Sequence, residues 1–240
     1  MLDIDFPQII AHRGASAYAP ENSLRALELA AEFEATWVEY DVQLTQDKQL
    51  VVVHDENLKR LTEVDLNVED ATLAQIQLLT LQLKFPEDEP EKIPSLDQWF
   101  CLAKKLGLKH NLEIKCSASN VDETVAAVVE KIKQAELSSE DIVISSFCLS
   151  ALQLCRDALP DYWLGLNMMR WTEDWQKKVE SFNGNSLHMN AHSVTAKRVD
   201  AVHAANLKCL AFTVNRRKKA KKLLEMGVDA LFSNYPDLLR

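Results

Sequence analysis

Nine short β-prone runs, mostly separated by segments of helical spacing, constrain the fold of this sequence more than any other feature. They are QIIAH (8–12), TWVEYDVQL (36–44), QLVVVHD (49–55), HNLEIK (110–115), DIVISSF (141–147), YWLGLN (162–167), NSLHMN (185–190), LKCLAFTVN (207–215) and VDALFSN (228–234). The intervening segments repeat apolar residues at the period of a helix. In SLRALELAAEFEA, Leu24, Leu27, Ala31 and Phe33 fall on one face, with charges elsewhere. SLDQWFCLAKKLG has an N-cap serine at Ser95 and a terminating Gly107, and RKKAKKLLEMG closes at Gly227.

One run breaks the alternation. Only Thr45 to Lys48 separate 38–44 from 49–55, which is hairpin spacing, so the third run is expected to pair antiparallel with the second. Eight strands then remain, each followed by a helix or a long connection. Eight β/α units in 240 residues match the size of a (β/α)8 TIM barrel, an α/β fold. A doubly wound sheet is the structural alternative, because periodicity alone does not establish closure. Residues 56–94 fall outside the repeat and read as a small insertion after the second strand, overhanging the C-terminal face of the barrel. That segment is too small for a core of its own, so residues 1–240 read as a single domain.

The bulk chemistry excludes several classes. A net charge of −9 argues against a nucleic-acid surface. The one basic run, Arg216 to Lys222, sits in a helical segment and reads as its solvated face. Cys101, Cys116, Cys148, Cys155 and Cys209 are odd in number and scattered, and read as small buried hydrophobes in a reducing compartment. MLDIDFPQII lacks the basic and apolar regions of a signal peptide, and no stretch is long enough to span a membrane. The expected location is cytoplasmic.

The informative polar residues sit at strand ends. His12 and Arg13 close the first apolar run, where a core would gain nothing from either and a cleft would suit both. Glu39 and Asp41 are two apart on one strand and so share a face, as do Glu113 and Lys115 on another. Solvated charges on outward faces are the alternative for either pair alone. Two pairs beside strand-end histidines instead suggest inward carboxylates neutralised by a hard divalent cation, Mg²⁺ or Ca²⁺, bound through oxygen. A free histidine titrates near neutrality, so of His12 and His54 one is expected to accept a proton while the other donates one. Arg13 offers a planar fork for a phosphate and Lys115 a point charge. Two acid/base groups, two cations and a metal describe phosphoryl-ester chemistry.

AHRGASAYAPENS, VEYDVQLTQDKQLVVVHDENLKRLT, LEIK, SSF, AFTVN and VDALFSNYP together resemble the ordered signature of glycerophosphodiester phosphodiesterases, from His12 to Pro236. The resemblance implies a TIM barrel that hydrolyses a small-molecule glycerophosphodiester to glycerol 3-phosphate and an alcohol with a divalent cation. It also implies His12 and His54 as the acid/base pair, Glu39, Asp41 and Glu113 as metal ligands, and Arg13 and Lys115 as phosphate contacts. The sequence departs from the family where Leu61 and the absence of glycine mark RLTEVDLNVED, where Phe212 replaces a common tryptophan, and where Ser233 and Asn234 replace a common Thr-Asp.

Two rival functions fit the same residues less well. A lysophospholipase D-like enzyme acting on lysophospholipids would show an apolar lid, which the acidic segment 86–91 argues against. A non-catalytic ligand-binding barrel would be expected to lack a histidine or carboxylate of the set. Glu21 and Asn22 are candidate pocket residues but read first as a turn and helix cap; Asn190, Phe212 and Asn215 are further pocket candidates. His188 and His192 read as structural or loop residues, and Trp99, Trp163, Trp171 and Trp175 as core or lid packing. The choice of metal, the leaving alcohol, the separate roles of the two histidines, direct water attack versus a cyclic phosphate, and the oligomeric state stay open at this level.

Overall fold

A computed structural model describes residues 4–83 and 89–239. Its strands are β1 (Ile9–His12), β2 (Trp37–Leu44), β3 (Leu50–Val52), β4 (Lys109–Ile114), β5 (Ile142–Ser146), β6 (Trp163–Met168), β7 (Ser186–Asn190), β8 (Lys208–Phe212) and β9 (Ala230–Ser233). Eight of them form a parallel sheet in the order β1-β9-β8-β7-β6-β5-β4-β2 that closes through a β1–β2 ladder, His12 opposite Glu39. This is the expected (β/α)8 barrel, and closure excludes the doubly wound sheet.

Helices α1 (Leu24–Glu32), α4 (Leu96–Leu106), α5 (Val121–Gln134), α6 (Leu149–Ala158), α7 (Trp175–Glu180), α8 (Ala196–Ala204) and α9 (Arg217–Glu225) return the chain between barrel strands. Ser95 caps α4 with a reciprocal Gln98 bond, and Gly107 ends it in the left-handed conformation. No helix follows β9 among the described residues, so the last strand departs from the expected repeat. The basic run forms the exposed face of α9, with Ala220 and Leu223 turned inward.

Two faces of each strand meet two different cores. Outward residues such as Val38, Tyr40, Val42, Leu112 and Ile114 pack against Leu27, Trp99, Ala103 and Val128 of the helices. Inward residues near the strand starts, Ile10, Trp37, Val143, Trp163, Leu210 and Ala230, fill the base of the barrel with Phe232, and Ile4 packs beneath them. Burial of this kind contributes roughly 25 cal/mol per Å² of apolar surface.

β3 pairs antiparallel with the far half of β2, Val42 opposite Val52, as the short polar turn implied. The insertion follows. It holds α2 (Lys59–Thr62), a 3₁₀ turn at Val68–Asp70 and α3 (Leu73–Leu78). Leu58, Leu61, Val68, Ile76 and Leu81 gather with Val51 and Val53 into a satellite apolar cluster, so the insertion is more ordered than a loop but rests on the hairpin. Residues 86–88 of the acidic segment lie outside the described residues. The cysteines correct the expectation of uniform burial: Cys155 and Cys209 are buried, Cys116 and Cys148 half-buried, and Cys101 exposed on α4. Cys101 escapes the core because it falls on the face of an amphipathic helix opposite Trp99 and Ala103. Among the described residues, no helix is long and apolar enough to cross a membrane.

Candidate active site

The upper half of the barrel interior is polar. A sharp turn after β1 begins it: Arg13 takes φ +57° and Gly14 φ +75°. A side chain at Gly14 would meet the Ala26 carbonyl carbon at 2.7 Å, so only glycine lets the turn lie against α1. The turn aims Arg13 across the barrel end. Its backbone N–H donates to Glu39 Oε2 at 3.0 Å, and its guanidinium lies 3.2 Å from Asp41 Oδ2 and 2.8 Å from Glu21 Oε1.

Glu39, Asp41 and Glu113 project inward from β2 and β4, whose ladder places Asp41 opposite Glu113. One carboxylate oxygen from each lies within 4.8 Å of the others, and all three residues are buried. Asp41 Oδ1 is 3.3 Å from Lys115 Nζ, and Lys115 also pairs with Glu113 Oε1. Neither oxygen has a well-aligned hydrogen bond, and Glu39 Oε1 has no hydrogen-bond partner among the described residues. Burial and the neighbouring Asp41 and Glu113 charges push Glu39 well above the usual carboxylate range. Burial, then Asp41, pushes Glu113 to about 7. Burial also opposes the Asp41 anion, yet Arg13 and Lys115 hold its carboxyl below the ordinary value. Three crowded hard oxygens with unused lone pairs fit a divalent cation.

The two histidines arrive by different routes. His12 ends β1 facing the cluster, with Nε2 3.7 Å from Glu39 Oε2 and Nδ1 2.7 Å from Asn234 Oδ1. Burial, helped by Arg13, lowers it to about 4, so its ring is neutral at pH 7. His54 is carried back over the mouth by the hairpin, where Val53 N–H donates to the Asp41 carbonyl at 2.9 Å and Gln43 Nε2 pins the carbonyls of Val53 and Asp55. His54 Nδ1 meets Asp55 Oδ1 at 2.8 Å. Arg60 of α2 holds the other Asp55 oxygen at 2.5 Å and Glu21 at 2.8 Å, bridging the partners of His54 and Arg13.

His12, Arg13, Glu39, His54, Glu113 and Lys115 line one cavity of about 370 Å³ at the C-terminal end of the barrel. Asn190 and Phe212 line it as well, whereas Glu21, Asn22 and Asn215 do not. Those three stand behind it. Asn22 Nδ2 donates to Asp41 Oδ2 at 2.9 Å, Glu21 braces Arg13, and Asn215 Oδ1 accepts from the Asn234 N–H at 2.9 Å. The helix cap expected of Glu21 or Asn22 is instead Ser23, which accepts from Ala26 N–H. His188 and His192 both reach the cavity, His188 at its buried floor. Trp99, Trp163 and Trp175 are core residues, and Trp171 stacks on Trp175.

The sequence reading missed Arg60, Asn111, Ser145 and Asn167. Asn111 had a signal: it lies two residues before Glu113 and therefore on the same face. Arg60 had none without knowledge of how the insertion folds back.

The sequence profile of the Glycerophosphoryl diester phosphodiesterase family matches residues 12–238. The Bacillus subtilis protein YhdW is 34% identical, and the match covers 96% of each chain. The glycerophosphodiester phosphodiesterase of Caldanaerobacter subterraneus is 31% identical over 96% of this chain and 95% of its own. Among solved structures, a phosphodiesterase from Oleispira antarctica in complex with the product sn-glycerol-3-phosphate superposes with a TM-score of 0.89 at 34% identity. That match covers 96% of this chain and 94% of the other.

Proposed function

The chain belongs to the glycerophosphoryl diester phosphodiesterase family, and on that premise we propose that it uses two histidines and a divalent cation to release glycerol 3-phosphate and an alcohol. It is a phosphoric diester hydrolase, with glycerophosphodiester phosphodiesterase activity. We read the whole chain as one catalytic domain, insertion included, because the insertion's apolar cluster is completed by Val51 and Val53 of the hairpin.

One observation carries the mechanism: three carboxylates, two imidazoles and two cations from four separate chain segments converge on one cavity end. Glu39, Asp41 and Glu113 would hold the cation. When bound, the cation supplies Lewis-acid polarisation of the phosphate and neutralises charge that develops on its oxygens. Arg13 and Lys115, each already set against carboxylates, orient the phosphate and share that charge.

The different partners of the two rings support a division of labour. His12 bonds a neutral amide and lies beside Arg13, a setting that favours the unprotonated ring and suits a general base. With Nδ1 donating to Asn234 Oδ1, its Nε2 lone pair is available to take the proton of the attacking hydroxyl. His54 bonds the Asp55 carboxylate, which orients its ring at the cavity mouth for the part of a general acid delivering a proton to the leaving alkoxide.

The decisive assay is glycerol 3-phosphate release from glycerophosphocholine, with and without EDTA, beside a lysophospholipid panel. Release that EDTA abolishes and Mg²⁺ or Ca²⁺ restores is expected. Release unaffected by chelation would overturn the cation, and cleavage of the lysolipids alone would overturn the substrate.

A further inference from the structure

Two cysteines stand together where β4 and β5 leave the barrel, and the chemistry above uses neither. The β4–β5 ladder sets Leu112 opposite Ile144 and Glu113 opposite Ser145. Carried three residues past that last pair, the same parallel register brings Cys116 level with Cys148. The Ser146 hydroxyl holds the two exits in step: it donates to the Ile114 carbonyl at 2.8 Å and accepts from the Cys148 N–H at 3.0 Å. The thiols are neighbours as a result. Burial, then the charge of Cys148 and a hydrogen bond with it, push Cys116 up to about 12.

Both cysteines are half-buried, and both line a cavity beside the barrel mouth that His54, Lys115 and Phe147 also line, so a small oxidant reaches them. Of the other cysteines, Cys155 and Cys209 are buried, and Cys101 on α4 does not line this cavity. Each thiol of the pair directly follows a residue of the mouth. Lys115, before Cys116, pairs with Asp41 and Glu113. Phe147, before Cys148, has its ring centre 5.5 Å from the Lys115 ammonium and meets Phe212 edge-on at 5.9 Å. Opposed residues of neighbouring strands have Cα atoms about 4.8 Å apart, within the span of about 4.4–6.8 Å that a disulfide bridges.

Given the function proposed above, on which its effect rests, we propose that hydrogen peroxide converts Cys116 and Cys148 to a reversible disulfide that lowers phosphodiester hydrolysis by displacing Lys115 and Phe147. The Cys148 sulfur attacks one oxygen of the peroxide, the O–O bond breaks, and Cys148 becomes a sulfenic acid with release of water. Cys116 keeps its proton beside a charged Cys148, so Cys148 reacts first. The sulfenic acid is uncharged, which removes that hold on the Cys116 proton. The Cys116 sulfur then attacks the Cys148 sulfur, the S–O bond breaks, and hydroxide leaves with the Cys116 proton as a second water. The two thiols give up two electrons in all, and the peroxide takes them. A thiol reductant reverses the bridge by exchange. Bonded sulfurs stand closer than thiols in contact, and the adjustment falls on the residues just before them, Lys115 and Phe147.

The test treats Mg²⁺-loaded protein with hydrogen peroxide, alkylates the remaining thiols, and reads disulfide-linked peptides by mass beside glycerol 3-phosphate release from glycerophosphocholine. A peptide pair joining Cys116 to Cys148 is expected, with turnover down about 10-fold or more, as for loss of a charge that steadies the transition state. Dithiothreitol should restore both the thiols and the rate. Cys116→Ser and Cys148→Ser should each match untreated wild type and keep that rate through the same treatment, which a general oxidative injury would not allow. If a serine variant fails to fold, the linked peptide and its reversal in wild type carry the comparison. Absence of the linked peptide, a bridged protein as active as the reduced one, or equal loss in both serine variants would overturn the proposal. Reduced wild type that cleaves no glycerophosphodiester would overturn the proposed function instead, while the bridge is still read by mass.

Discussion

The two ends of the barrel interior are built from the same strands and obey opposite rules. At the base, Ile10, Trp37, Val143, Trp163 and Leu210 pack as any core packs. One turn of the pleat higher, His12, Glu39, Asp41, Asn111, Glu113 and His188 replace them. The base stabilises the fold by removing apolar surface from water. The mouth works against it by crowding carboxylates that repel one another and are poorly solvated. Period-2 alternation carries both sets inward, so position along the strand alone decides whether a side chain contributes stability or chemistry.

The largest expected effect tests the mouth. His12→Ala and His54→Ala should each lower kcat for glycerophosphocholine by about 10³-fold, the range of a lost general acid or base. Thermal unfolding should stay near wild type, because neither ring belongs to a core cluster. Activity of either variant near the wild-type rate would remove that histidine from the chemistry.

Trp163→Ala asks the converse question at the base. Trp163 is 6% exposed and meets Phe6 edge-on, with ring centroids 6.0 Å apart. Truncating it should cost about 3–5 kcal/mol of unfolding free energy. The kcat of the folded fraction should move by less than about 3-fold, far short of the loss of a catalytic group. A large fall in kcat at small stability loss would mean that the two layers are not separable.

Acid titration separates the mouth from the wall outside it. His110 faces the helices, where its Nδ1 lies 3.1 Å from the Tyr40 hydroxyl, and burial lowers it from 6.5 to about 4. The unfolded chain therefore binds the extra proton between those values. Its contribution to stability is complete above pH 6.5 and is lost as pH falls toward 4. Glu113 runs the other way: raised to about 7, it favours the fold most below 4.5 and that contribution fades as pH rises through 7. Denaturant unfolding of wild type and His110→Gln from pH 7 to 4 should diverge by on the order of 3 kcal/mol at the acid end, the variant losing less. Parallel curves would show that His110 does not govern the acid limb.

Much of this division was legible in the sequence, and the reasons are specific. The Glu39/Asp41 and Glu113/Lys115 spacings announced inward charge because strand period is rigid, and the four-residue turn announced β3. Asn167 was harder than Asn111: an amide within a β-prone run, with no charged residue at the same-face spacing, carries no signature until the neighbouring strand shows which cavity it lines. Glu21 and Asn22 looked like capping residues because a short polar run before a helix usually is one. Ser23 took that role, and the left-handed backbone of Asn22, φ +59°, directs its amide toward Asp41. Arg60 depended on a fold-back that no local pattern encodes.

Arg60 also gives the comparison its finest test, since it shows how the mouth is held without core packing. The base is fixed by apolar contact, but His54 sits on a hairpin and is oriented by Asp55, which Arg60 holds in turn. The same guanidinium steadies Glu21 against Arg13. About half of the Arg60 side chain is exposed, and exposed ion pairs contribute little to stability. Its effect should therefore appear in turnover and not in melting. Arg60→Ala is expected to lower kcat about 10-fold with KM within about twofold, the size of effect seen when a partner that orients a reacting group is removed. Arg60→Lys should recover only part, because a point charge cannot hold two carboxylates in one plane. A shift in melting temperature that accounts for the activity loss would make Arg60 a structural tie. Unchanged kcat would mean that the hairpin alone positions His54.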